Sequence, residues 1–299
     1  VVSPPRTTRS GFVALAGRPN VGKSTLVNGI VGRKVAIVSN KPQTTRRAIR
    51  GVSTGEDFQL VLVDLPGVQR PRDALTERMQ RRVERELDDS DAALMVLNGE
   101  EGVGPGDRFI AAALASSRTP VVIAVNKVDR LDRGETLAVL QAAADLDISE
   151  EIFPISARKG QGIEPLTARL AELLPEGPFF YDAAEDSDQP QSVLLAELVR
   201  EQVLKRTFQE VPHSVEAVIE DIEWTKTDLA MVRALLWVET DSQKGIVIGA
   251  GGKMIKAIGT AARRELEREL GARVHLDLSV RVRRQWRGDE GLLDRLGIE

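Results

Sequence analysis

From residue 12 onward the chain alternates short apolar runs with longer segments whose apolar residues recur every three or four positions. Residues 12–16, 59–63, 92–97, 120–125 and 152–155 read as buried strands. Residues 24–31, closed by Gly32, and 76–87, 107–117, 135–146 and 163–173 carry the helical period. Strand and helix in strict alternation predict an α/β domain with a doubly wound, mainly parallel sheet and ligands at the carboxyl ends of its strands. Residues 48–53 and 59–63, around a Thr-Gly-Glu-Asp turn, predict a hairpin that adds one antiparallel edge strand.

Beyond residue 174 the pattern changes. Residues 174–190 are rich in proline and acid and read as a linker. An amphipathic helix at 191–208 precedes alternating strands at 214–223 and 232–239. A short helical piece, 243–248, leads into Gly249-Ala250-Gly251-Gly252. The long helix that follows keeps Ile255, Ile258, Ala262, Leu266 and Leu270 on one face, before a strand at 274–282 and a last helix at 289–296. Helix, two strands, helix, G-x-x-G, helix, strand is the order of a type II KH domain, an α+β module. The expected division is an N-terminal extension, 1–10, a nucleotide domain, 11–175, a linker, 176–190, and a KH domain, 191–299.

Composition narrows the classes. A chain of 299 residues can hold two cores, and no apolar run approaches the roughly 20 residues of a spanning helix. The first ten residues lack the apolar stretch of a signal peptide and read as a ragged extension. Without cysteine there is no disulfide or thiolate metal site, and two histidines argue against a zinc centre; a reducing cytoplasm fits. The net charge of −4 hides an asymmetry: residues 243–287 hold eleven Lys/Arg against four Asp/Glu. Such clustering is an electrostatic footprint for nucleic acid.

The chemistry-bearing residues follow the predicted strands. Gly17-Arg-Pro-Asn-Val-Gly-Lys-Ser-Thr25 matches the phosphate-loop pattern G-x-x-x-x-G-K-[ST] between a strand and a helix. Its backbone N–H groups and helix N-terminus converge on an anion, so Gly17, Asn20, Val21, Gly22 and Thr25 are expected at the phosphates. Lys23 reaches the β- and γ-phosphates and Ser24 ligates Mg²⁺ in this arrangement. Asp64-Leu-Pro-Gly67 places a carboxylate for the Mg²⁺ shell and a residue without side chain where a γ-phosphate approaches. Asn126-Lys-Val-Asp129 selects the base: a carboxylate at Asp129 needs two N–H donors, and guanine offers N1–H and its 2-amino group where adenine offers neither. Ser156-Ala157 supplies a backbone N–H for the guanine O6, and Lys127 packs its stem over the loop or the base.

In Lys41-Pro-Gln-Thr-Thr-Arg-Arg47, a threonine can close on Mg²⁺ and let go after hydrolysis; Thr45 is favoured, with Thr44 as the alternative. Lys23, Thr45 and Gly67 are therefore the expected catalytic positions, and Ser24, Thr45 and Asp64 the metal set. Val68 stands where a glutamine could orient the attacking water, so slow unassisted hydrolysis is expected. The Asn20 amide could hold a K⁺ ion beside the phosphates, or merely shape the loop. Arg46 and Arg47 could stabilise charge in cis or contact RNA at the surface.

In the C-terminal half, the turn Gly249, Ala250, Gly251, Gly252 lets backbone N–H groups approach a single-stranded phosphate backbone. Lys253, Lys256, Arg263 and Arg284 are the expected cationic contacts. Ala250 lacks the phosphate contact a lysine would add there. Trp286 could stack on a base or pack the last helix against the domain.

Taken together, GRPNVGKSTLVN, VAIVSNKPQTTRR, DLPGV, NKVD, SARKGQGI, LLPEGPFFYD, EVPHSVEAVIE, KGIVIGAGGKMIKAIG and WRGDEGLLDRLG resemble the Era-type GTPases, bacterial ribosome-assembly proteins, over almost the whole chain. The chain departs from the family pattern at Leu65 for threonine, Asn98 for aspartate and Ala250 for lysine. The resemblance implies a GTP/GDP switch that binds the 3′ end of small-subunit (16S) ribosomal RNA, favours it when GTP-bound, and assists maturation of the 30S subunit. A cytoplasmic protein and a monomer are expected, with peripheral contact at the inner face of the cell membrane left open. Two rivals stay open at this stage: a GTPase whose C-terminal half takes a protein or membrane partner, and an RNA-binding protein that holds its nucleotide without hydrolysing it.

Overall fold

The structure, a computed structural model, describes residues 7–67, 73–117, 119–226 and 228–298. Contacts divide it into two units: Ile37–Thr44, Asp73–Leu75 and the residues from Gln189 onward group together, and the remaining described residues form the first unit.

The first unit runs β1 (Arg9–Ala16), α1 (Lys23–Val31), β2 (Ile49–Thr54), β3 (Phe58–Asp64), α2 (Ala74–Asp88), β4 (Ala92–Asn98), α3 (Pro105–Ala115), β5 (Val121–Asn126), α4 (Arg133–Ala144), β6 (Ile152–Pro154) and α5 (Ile163–Leu173). Its sheet has the order β2-β3-β1-β4-β5-β6, with β2 antiparallel to β3 and the other pairs parallel. The central strands are apolar on both faces because helices cover both. Val13, Leu15, Leu60, Leu62 and Leu94 meet Leu26, Val27, Leu166 and Leu170 of α1 and α5. Ala93, Met95, Leu97 and Ile123 meet Ile110, Leu114 and Val139 of α3 and α4, and Val63 meets Val83 of α2. The chain leaves β1 toward β2 and β3 on one side, and β4 lies on the other. That reversal opens a crevice at the carboxyl end of β1, where residues 17–22 lie.

Residues 8–10 of the extension and the linker up to residue 188 are built into the first unit. Thr8 Oγ1 donates to the Gly177 carbonyl (2.8 Å), Arg9 Nη1 to that of Leu174 (2.6 Å) and Ser10 Oγ to that of Pro178 (2.6 Å). Buried Gln59 donates to the Tyr181 carbonyl and accepts the N–H groups of Phe180 and Tyr181. The Val52 N–H donates to the Asp186 carbonyl, alongside the edge strand β2. Proline and acid kept this stretch out of helix and strand, but its backbone groups are held by the sheet.

The second unit contains α6 (Gln191–Leu204), α7 (Val211–Ser214), β7 (Glu216–Lys226), β8 (Leu229–Val238), α8 (Asp241–Ile248), α9 (Lys253–Leu270), β9 (Arg273–Val282) and α10 (Glu290–Arg295). Its sheet, β7-β8-β9, pairs β7 and β8 antiparallel and β8 and β9 parallel, the mixed arrangement of a type II KH fold. Leu195, Leu198 and Val199 of α6 and Ile258, Ala262 and Leu266 of α9 pack on its inner face. The face predicted for α9 is therefore the buried one. Ser214 ends a short helix instead of opening a strand: Pro212 suits a first helical turn, and the Ser214 hydroxyl bonds back to the carbonyls of Glu210 and Val211. α8 starts two residues earlier than expected because Thr240 and Gln243 form a capping box.

Candidate functional site

At the end of β1 the chain turns through residues 17–22 into α1. Lys23 lies in its first turn and is buried, its ammonium donating to the carbonyls of Gly17 (2.9 Å) and Arg18 (3.1 Å). Burial pushes the Lys23 ammonium down to about 8, against the opposing pull of the Asp64 carboxylate. These two bonds hold the ammonium at the loop and leave one of its three N–H donors for a phosphate oxygen. Asn20, exposed in the loop, takes a positive φ of 65°, a left-handed conformation that asparagine adopts more readily than most residues.

Asp64 ends β3 fully buried, and burial raises its carboxyl above the ordinary aspartate range. Asp64 Oδ2 accepts from Ser24 Oγ at 2.6 Å and from Thr45 Oγ1 at 3.3 Å, and the two hydroxyls lie 3.1 Å apart. Asp64 Oδ1 is buried with no hydrogen-bond partner among the described residues. An all-oxygen cluster of one carboxylate and two hydroxyls, with one carboxylate oxygen left over, fits a hard divalent cation such as Mg²⁺. Gly67 comes so close to the phosphate loop that a Cβ there would lie 2.7 Å from the Pro19 nitrogen. Val68, the position that bears on water orientation, lies outside the described residues.

The two threonines separate cleanly. Thr45 is buried in the cluster above. Thr44 groups with the second unit: its hydroxyl turns back to the Lys41 carbonyl (2.6 Å), and its own carbonyl accepts from Arg200. That turn uses up the Thr44 side chain, so of the two threonines it is Thr45 that lies with Ser24 and Asp64. Arg46 is a buried side chain, which corrects its reading as a surface contact.

Base-side residues sit at the ends of β5 and β6. Asn126 is a staple: its Nδ2 donates to the Val21 carbonyl (2.8 Å), and its Oδ1 accepts from the N–H groups of Lys127 (2.8 Å) and Ala157 (2.9 Å). It thereby ties three loops that are far apart in sequence. Asp129 Oδ1 accepts from Ser156 Oγ at 2.7 Å, and that bond holds its carboxyl below the ordinary range. Lys127 has a φ of 70°, and its ammonium lies 3.7 Å from Glu100. No signal in the sequence pointed to Glu100 or to Arg18, whose guanidinium pairs with Asp107 and Glu101.

In the second unit, Gly249, Gly251 and Gly252 all have positive φ, of 73°, 59° and 75°. Side chains rarely adopt such conformations, so this tight turn between α8 and α9 depends on glycine. Ala250 is exposed at its tip. α9 and β9 flank a groove of about 420 Å³ whose lining includes Ile255, Leu278, Lys256 and Arg263. Lys253, Lys256, Arg263 and Arg284 are exposed. Arg263 approaches Glu267 at 3.5 Å, whereas Lys253, Lys256 and Arg284 form no ion pair among the described residues. Trp286 is fully buried and its indole N–H donates to the Ser214 carbonyl at 2.8 Å. It packs the domain and is not available for base stacking.

A strand–turn–helix phosphate loop, a carboxylate–hydroxyl cluster at Asp64 and a loop carrying Asn126 and Asp129, on a mainly parallel sheet and joined to a KH fold, are the parts of a phosphate-loop GTPase with a nucleic-acid-binding module. A family model described as a 50S ribosome-binding GTPase matches residues 12–127, and one described as a KH domain matches residues 210–287. Similar curated proteins include GTPase Era of Lactobacillus helveticus, 44% identical over 97% of this chain and 96% of its own length. Another is GTPase Era of Mycolicibacterium smegmatis, 45% identical over 97% and 99%. A solved structure of Era with MgGDPNP and nucleotides 1506–1542 of 16S ribosomal RNA superposes with a TM-score of 0.93. It is 33% identical and covers 97% of this chain and 99% of its own. A variant of Aquifex aeolicus Era bound to GDP and AlF4⁻ matches equally well. The chain belongs to the Era family of GTPases.

Proposed function

We propose that this GTPase is a nucleotide-controlled binder of the 3′ end of 16S ribosomal RNA that assists assembly of the small subunit. The observation that carries the reading is the glycine-dependent turn at 249–252 beside exposed Lys253 and Lys256, in a chain that shares its fold with an Era solved on that RNA. Backbone N–H groups at the turn and the α9 N-terminus meet the phosphates, and the groove beside α9 takes the bases.

On the nucleotide side, Gly17, Asn20, Val21, Gly22, Lys23 and Thr25 hold the phosphates, and Asn126, Lys127, Asp129, Ser156 and Ala157 hold guanine. Ser24, Thr45 and Asp64 hold Mg²⁺, which when bound neutralises developing phosphate charge. Lys23, steadied by the Gly17 and Arg18 carbonyls, would turn its remaining N–H capacity to the β- and γ-phosphates, and Gly67, without a side chain, would leave room for the γ-phosphate. The Asn20 amide holds K⁺ beside the phosphates. This is checked by comparing hydrolysis rates in KCl and NaCl, and equal rates would remove it.

Control passes along the chain at residues 44 and 45. Thr45 belongs to the metal cluster, while the preceding Ile37–Thr44 groups with the second unit through the Thr44 carbonyl on Arg200 and the Val38 N–H on Glu201 (3.0 Å). A ligand that repositions Thr45 therefore pulls on a segment held by the RNA-binding unit. The protein acts as a monomer on the 30S precursor in the cytoplasm. Among the described residues no helix is long and apolar enough to cross a membrane. Changing Lys256, Arg263 and Arg264 together to glutamate tests the RNA assignment. RNA binding should vanish with GDP affinity intact, and unchanged RNA binding would contradict it in favour of a protein or membrane partner.

A further inference from the structure

The turn after β4 is more heavily cross-linked than a strand end requires. Asn98 is 1% exposed; its Nδ2 donates to Glu101 Oε1 at 2.7 Å and its Oδ1 accepts the Glu100 N–H at 3.2 Å. The other Glu101 oxygen meets Arg18 Nη1 at 2.9 Å. Arg18 Nε meets the carboxylate of Asp107, fully buried, at 2.9 Å, and that carboxylate also accepts the Gly104 N–H at 2.9 Å. The Arg18 carbonyl is one of the two that hold the Lys23 ammonium. A short path, hydrogen-bonded on either side of Arg18 and covalent through it, thus runs from the Asn98 amide to the lysine of the phosphate loop.

Its neighbour braces the other side. Both Glu100 oxygens lie 3.0 Å from Arg130 Nη1, and the Gly99 N–H donates to the Asn126 carbonyl at 2.8 Å. The turn is therefore fixed against the base loop while it grips the phosphate loop.

We propose that Asn98 and Glu101 are positioning residues for nucleotide binding, fixing Arg18 and with it the shape of the phosphate loop that receives GDP and GTP alike. The inference rests on the reading of residues 17–25 as the phosphate site. The amide at 98 is what makes the arrangement possible. An aspartate there would set two carboxylates 2.7 Å apart, and their repulsion would turn Glu101 away from Arg18. A plain strand-end cap would affect folding stability instead and leave nucleotide affinity alone.

Asn98→Asp, Glu101→Gln and the double variant separate these roles, with GDP and a non-hydrolysable GTP analogue titrated against each full-length protein. Each single change should weaken both ligands by a common factor of roughly 3–10 and raise KM for GTP with kcat held, because neither residue touches the γ-phosphate or the metal cluster. The double variant reverses donor and acceptor, since a glutamine amide at position 101 can donate to a carboxylate at position 98 and still accept from Arg18. It should recover most of the lost affinity, a coupling that independent defects would not produce. Unchanged GDP affinity in the singles would overturn the proposal. So would losses that simply add in the double, or a fall in kcat at constant KM. GDP binding by the unaltered protein is the control: its absence would sink the phosphate-site reading itself, independently of the clamp.

Discussion

The Ser156 hydroxyl keeps the Asp129 carboxyl below its ordinary range. A depressed pKa means that the ionised, guanine-accepting form persists above the usual aspartate value of about 3.9 and is lost only as pH falls below it. Ser156→Ala removes the bond, so the acid limb of GDP binding should move to higher pH, and titration of GDP affinity from pH 7 downward checks the direction. An unmoved limb would contradict the assignment of Asp129 to the base. Asp129→Ala should lower guanine-nucleotide affinity at least roughly 10²-fold while leaving RNA binding without nucleotide unaffected. The motif residues were legible because loop chemistry is local: a glycine-rich turn, a lone carboxylate after an apolar run and a basic cluster need no partner to be seen. Arg46 and Thr44 were not. Burial of an arginine, and the choice between two adjacent threonines, depend on what the rest of the chain brings against them.

At the level of elements, the two glycine turns do opposite work. The phosphate loop is braced from outside by Asn126, whose amide reaches the Val21 carbonyl, whereas the turn at 249–252 stands exposed with its shape set by its own glycines. Ala250→Lys adds a cation at the tip of that turn. It should tighten RNA binding and steepen its salt dependence by about 0.7 in log–log slope, which titrations at several salt concentrations measure. The segment 281–287 is anchored by Trp286, not free to follow RNA. Trp286→Ala should cost about 3–5 kcal/mol in denaturant unfolding of the second unit. Trp286→Phe leaves the Ser214 carbonyl without its donor, which costs about 1–3 kcal/mol and leaves RNA affinity unchanged below the melting temperature. A loss of RNA affinity in a folded Trp286→Leu variant, which has no ring to stack, would restore a stacking role. The strands and long helices were legible from periodicity because each buries one face or both. The helix at Val211–Ser214 and the ordered course of residues 176–188 were not, since a four-residue helix has no period and the strap takes its partners from β1, β2 and β3.

For the molecule as a whole, the occupant of the phosphate loop is expected to decide whether RNA binds. The chemistry for it is divided along the chain: Thr45 Oγ1 lies with Ser24 and Asp64, and the Thr44 carbonyl is held by a fully buried Arg200, itself paired to Glu197. Arg200→Met should therefore reduce the difference in RNA affinity between GDP and GTP-analogue states. Because it strands Glu197 and Glu216 in the interior, Glu201→Gln, which weakens the hold on Val38, serves as the milder companion. The most direct test uses the unaltered protein and an oligonucleotide copying the 16S rRNA 3′ end, titrated in GDP and in a non-hydrolysable GTP analogue with Mg²⁺. Tight binding with the analogue and weak binding with GDP is the predicted result. Equal affinity in the two states would contradict the account, leaving an RNA-binding GTPase whose nucleotide does not control its RNA.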